Sequence, residues 1–204
     1  MSFETAFFGI SGDAAAPLLI DAATIAHLAA MAVGLGSAVF ADWTVLSRIA
    51  LPLSADQLAV VRRAHRLITA SLVVLWLSGL SLLALKTEFE IARLTPKLVA
   101  KLGTVAMLTL TASAMAYIAL PLVSANLGRR LTTLPLRERC VLATCVALSA
   151  ASWSIALLLG SSSVLRTAGP DIMLLVLALY ATAVVVALAA AALMGVPQDA
   201  QRAS

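Results

Sequence analysis

The run TIAHLAAMAVGLGSAVFA, Thr24 to Ala41, is apolar from end to end except for one ionisable side chain, His27. Its length and composition are those of a membrane-crossing helix, which needs about 20 predominantly apolar residues. An ionisable group inside such a helix is costly and by default marks a functional site. What this stretch is and what His27 faces therefore decide the reading of the whole chain.

The rest of the sequence agrees with a membrane location. Of 204 residues, 62% are hydrophobic and 12% charged, and the mean hydropathy is +1.03. Ordinary soluble domains are about 45–50% apolar and about 25% charged, and a soluble domain of this length could not hide so much apolar surface. The expected class is an all-α integral membrane protein, because helices satisfy their own backbone polar groups in lipid. The short alternating segments of a β-barrel are not seen. The net charge of +4 does not point to nucleic acid, since the basic residues fall between apolar runs, where membrane topology accounts for them.

Five apolar runs are long enough to span, at about 17–41, 65–85, 96–122, 140–159 and 171–194, and the chain reads as a single transmembrane helical domain over 1–204. The first two helices are expected to continue beyond the lipid as a hairpin that turns at Leu51-Pro52-Leu53-Ser54. Thr95 before Pro96 reads as an N-cap followed by proline at the first helical position; Gly169-Pro170-Asp171 is expected to start the fifth helix in a similar way. Gly160 and Ser161 to Ser163 close the fourth, and Pro121 is expected to end or kink the third. Through Pro17 there are Glu4 and Asp13 but no Lys or Arg, so a signal peptide's basic n-region is missing and the first helix is expected to stay in the membrane. Cys140 and Cys145, at i and i+5, point away from each other and read as small interior residues.

Arginine placement sets the expected orientation. The first connection carries Arg48, Arg62, Arg63 and Arg66, and the third carries Arg129, Arg130, Arg137 and Arg139. The N-terminal segment has none, the fourth connection has only Arg166, and the second is mixed, with Lys86, Arg93 and Lys97 against Glu88 and Glu90. The expectation is a multi-pass protein of the bacterial inner (plasma) membrane, N-terminus outside and C-terminus cytoplasmic.

His27 stands roughly 15 Å along the first helix from Pro17. Its face carries small residues, Ala23, Ala30, Met31, Gly34, Ser37, Ala38 and Ala41, which allow close approach of another helix or of a flat macrocycle. Two readings of His27 stand side by side: a hydrogen bond to Ser or Thr on a neighbouring helix, or a haem or metal ligand. Lys101 lies roughly 8 Å into the third helix and enters from the same side as His27, either snorkelling to the headgroups or acting with it; Lys97, one turn earlier, reads as a headgroup residue. His65 sits at the Arg-rich mouth of the second helix, roughly 20 Å from His27 along the axis, so an interfacial place is expected for it. Trp76 and Gly79 are closer in depth to His27 and are expected to wall its pocket. Met31, Met107, Met115 and Met173 are scattered, without the clustered thioethers of a methionine copper site. The alanine-rich fifth helix reads as structural, and no Walker A, HExxH, GxSxG or CxxC motif is present.

The segments ATIAHLAAMAVGLGSAVFADWTVLSRI, VRRAHRLITASLVVLWLSGLSLLAL and TPKLVAKLGTVAMLTL resemble the first three helices of two related bacterial families, the HemJ-type membrane protoporphyrinogen oxidases and the CopD-like copper-resistance membrane proteins. The resemblance runs from Ala22 to Leu120 and includes the Ala100-Lys101-Leu102 element. It implies a bundle that binds haem b, with His27 as axial ligand and Lys101 as the essential lysine.

Three functions follow as alternatives. The favoured one is a haem-b-binding redox protein, oxidising a porphyrinogen or passing electrons to quinone, with His27 on the metal, Lys101 catalytic or neutralising a propionate, and Met31, Gly34, Trp76 and Gly79 lining the cofactor. The second is a CopD-like permease for copper or another transition metal, using His27, Met31 and Met107. The third is a non-catalytic membrane subunit or assembly factor. The expected partners are the lipid bilayer and, under the first reading, haem or porphyrin and quinone, with no nucleic acid; homo-oligomer formation is left open.

Overall fold

A computed structural model describes residues 12–87, 90, 95–162, 165 and 169–194. Glu4, Glu88, Arg93, Ser163, Arg166 and the tail from Gly195 lie outside the described residues. Among the described residues the protein is all-helical, and five helices are long and apolar enough to cross a membrane: α1 (Gly12–Leu46), α2 (Ala55–Thr87), α3 (Pro96–Ala125), α4 (Leu136–Ser161) and α5 (Asp171–Leu193). It is a multi-pass membrane protein by that architecture. The helices outrun the apolar stretches on which they are built. α1 begins at Gly12, ahead of Pro17, and takes in the helix-favouring Ala14–Ala16 run.

Local sequence explains the ends. At the hairpin tip, Ser54 and Gln57 form a reciprocal capping box: the Gln57 amide donates to Ser54 Oγ at 3.2 Å and the Ser54 amide to Gln57 Oε1 at 3.0 Å. The two orphan donors at the start of α2 are thereby satisfied. Thr95 caps α3 as expected, its hydroxyl accepting from the Leu98 amide at 3.3 Å, with Pro96 in the first turn. The start of α5 differs from its expectation. Pro170 stands at the cap and has no side chain that can accept, so backbone bonds to Gly169 and Pro170 close that turn.

Pro121 neither ends nor sharply breaks α3. Just before it, Met115–Ala119 widens into a π-helical turn in which the Leu120 amide donates to the Met115 carbonyl, five residues back. Proline has no N–H and its ring crowds the preceding turn. The wide turn shifts the hydrogen-bond register by one residue ahead of the proline, and α3 continues to Ala125.

α1 packs most extensively on α2, and both α5 and α3 on α4; α4 also reaches α1. α4 is therefore the central helix, and several of its side chains are almost fully buried: Ser152, Trp153, Ile155 and Leu159. Trp153 joins the first core with Ala30, Ala38, Leu72, Leu75 and Leu108. Ile155 and Leu159 form a second with Ala100 and Ile172. Interior hydroxyls bond to the preceding turn of their own helix, Thr104 Oγ1 to Ala100 O at 2.8 Å and Ser152 Oγ to Leu148 O at 2.7 Å. They remain small enough for close helix contact, and Tyr180 Oη adds an interhelical bond to Ser152 Oγ at 3.0 Å. Cys140 and Cys145 are both free thiols.

The first and third connections are joined by backbone. The Leu53 amide donates to Arg129 O at 3.1 Å and the Gly128 amide to Leu53 O at 3.0 Å. Gly128 has φ +80°, a left-handed conformation that glycine adopts without steric cost. The two Arg-rich connections thus lie at the same end of the bundle.

Candidate functional site

His27 projects from α1 towards α2, half-buried. Its Nδ1 is 2.9 Å from Ser78 Oγ. Ser78 is buried, and its hydroxyl lies 2.6 Å from the Val74 carbonyl oxygen of its own helix. A hydroxyl has one hydrogen, and two acceptor oxygens would not approach so closely without it. Ser78 therefore donates to Val74 and accepts from His27. The network assigns the proton of the neutral ring to Nδ1 and leaves the Nε2 lone pair as its Lewis base. Gly79 adjoins the same ring: a Cβ placed there would touch His27 Cε1 at 3.5 Å. Lys101, half-buried on α3, lies within electrostatic reach of the ring. His27, Ser78 and Gly79 meet where α1 faces α2, with Lys101 on the neighbouring α3.

Three other sequence candidates lie elsewhere in the packing. Gly34 adjoins Trp153: a Cβ there would stand 2.3 Å from Trp153 Cη2 and 3.1 Å from Ser71 Cβ. The Trp153 indole thus occupies the space that the small-residue stripe of α1 leaves open. Met31 packs against that same core. Trp76 spans α2 and α3, donating from Nε1 to Thr109 Oγ1 at 2.9 Å. Lys97, expected among headgroups, donates from Nζ to the Ser162 carbonyl at 2.6 Å, at the C-terminal end of α4, where a cation is favoured.

A second polar region lies at the Arg-rich end. His65 borders a cavity of about 870 Å³ with Arg62, Arg63 and Arg66, and also a space of about 40 Å³ with Asp42, Met115 and Ser149. Asp42 was not singled out by the sequence, where it sits beyond the apolar run on a helix with no partner yet known. The fold brings it near His65.

Among the described residues, no group of three or more His, Cys, Asp or Glu side chains stands close enough to hold a metal ion. Comparison of the chain with protein-family models, with characterised proteins and with solved structures finds no match.

Proposed function

We propose that this chain is a haem-b-binding membrane protein with a redox role, in which His27 would hold the haem through Nε2. One observation carries the proposal: the Nδ1–H bond to Ser78 fixes both the tautomer and the orientation of the imidazole. Metal-binding histidines donate their other ring N–H to an acceptor oxygen, usually a carboxylate, backbone carbonyl or water; the Ser78 hydroxyl takes that place here. The donor set also favours haem over a bare ion. A porphyrin brings four nitrogens of its own, so one oriented imidazole suffices, whereas a copper ion would need several protein donors together.

When bound, haem b would supply the one-electron exchange that porphyrinogen oxidation or electron transfer to quinone requires. The roles left to the chain are few. Ser78 holds the ring, Gly79 packs beside it on α2, and Lys101, within electrostatic reach of it, is suited to a propionate carboxylate or to proton transfer. The clustering of arginines at the Leu53–Gly128 end supports placing that end in the cytoplasm of a bacterial inner membrane, with the N-terminus and His27 towards the outside.

The test is the absorption spectrum of the full chain, expressed with haem supplied and purified in detergent. A Soret band is expected in the wild type and its loss in His27→Ala that elutes as the same monodisperse species. A colourless wild-type protein would sink the proposal, and a fixed co-purifying partner without haem would point to a structural subunit.

A further inference from the structure

We infer that the cavity between α2 and the end of α3 is a binding site for an anionic phospholipid, whose phosphate sits among Arg62, Arg63 and Arg66. The inference is independent of the haem proposal.

One wall of the cavity is basic, with three exposed arginines and the half-buried His65 on successive turns of α2. Among the described residues no Asp or Glu lines it. The opposite wall is apolar and largely of small side chains, Ala116, Leu120, Pro121 and Ala125, where α3 passes through its π-helical turn and proline. Ser124 reaches across: Arg62 Nη2 donates to its Oγ at 3.2 Å, which holds one guanidinium at the cavity.

Size and surroundings select the occupant. At about 870 Å³ the cavity far exceeds a lone phosphate and falls within the range of about 300–1,000 Å³ usual for small-molecule sites. It also opens onto apolar surface. Seven and eleven residues beyond Arg66, on the same face of α2, stand the exposed Val73 and Leu77. A phosphate held at the arginines would therefore let acyl chains run along an apolar trough. Guanidinium groups match phosphate oxygens bidentately, and basic pockets between helices at the membrane surface suit anionic headgroups.

The experiment is lipid retention by the full chain in detergent, read by native mass spectrometry with added phosphatidylglycerol, phosphatidylcholine or inorganic phosphate. Preference for phosphatidylglycerol over phosphatidylcholine is expected. At about fivefold per arginine, Arg62→Gln/Arg63→Gln/Arg66→Gln should weaken retention on the order of 100-fold. Arg129→Gln/Arg130→Gln/Arg137→Gln removes the same charge from exposed positions outside the cavity and should retain the lipid. Ala125→Trp, which fills the cavity and keeps every charge, should also lose it. Equal loss in the two arginine variants, equal retention of the two lipids, or unchanged retention in Ala125→Trp would overturn the inference. Binding of inorganic phosphate without lipid retention would overturn it too, as the mark of a free-anion site.

Discussion

Two glycines on α1 separate a packing contact from a conformational preference. At Gly34 an added methyl would lie 2.3 Å from Trp153 Cη2, 3.0 Å from Cζ2 and 3.1 Å from Ser71 Cβ; at Gly36 it would meet nothing within 4 Å. Carbon atoms rest about 3.5–4.0 Å apart, so Gly34→Ala requires roughly 1 Å of movement between α1 and α4. The indole cannot yield by swinging aside, because Trp153 is 1% exposed and packed by both α1 and α2. Overpacking of this kind costs about 1–3 kcal/mol. Both substitutions gain the same helix propensity, up to about 1 kcal/mol, so their difference isolates the clash. Gly34→Ala should be about 1–3 kcal/mol less stable than Gly36→Ala in reversible unfolding by sodium dodecyl sulfate in mixed micelles. Trp153→Phe removes the two clashing atoms, and in its background the penalty should shrink by about 1 kcal/mol or more, as a double-mutant cycle reads. Equal stability of the two alanine variants, or an undiminished penalty beside Trp153→Phe, would refute this packing.

Two further predictions are local. Ser78→Ala removes the acceptor of the His27 Nδ1–H and leaves Nε2 in place, so haem affinity in a hemin titration should fall about 10–100-fold without loss of the Soret band; unchanged affinity would detach Ser78 from the site. Ser54→Ala breaks one arm of the capping box at the start of α2 and should cost about 1 kcal/mol in the same unfolding assay, whereas Ser81→Ala, an exposed hydroxyl bonded only to its own helix, should cost far less.

The membrane class, the five spans, the hairpin turn and the Thr95 cap were legible because each is written in neighbouring residues. The packing was not. In a membrane helix every face is apolar, so periodicity does not say which face is buried. Gly34 and Ala38 could be read as room for a macrocycle or for a helix, and only the arrival of Trp153 from α4 fills that space. Depth along the axis did bring Gly79 level with His27, since rise per residue is constant. The azimuth did not follow, which is why Ser78, the actual hydrogen-bond partner, was missed while its neighbour was named. Asp42 escaped for the same reason. The π-helical turn before Pro121 depends on a choice between breaking and widening that the surrounding helices make.

The backbone clasp between Leu53 and Gly128–Arg129 fixes the two arginine-bearing connections against each other at one end of the bundle. At that end, two main-chain hydrogen bonds tie the α1–α2 hairpin to the segment after α3. His27 lies roughly 30 Å away along α1, on the far side of the tryptophan-filled core. The clasp therefore joins the two arginine-bearing connections into one backbone-bonded rim, while nearer His27 the α2–α3 contact is made by side chains, Trp76 to Thr109 among them.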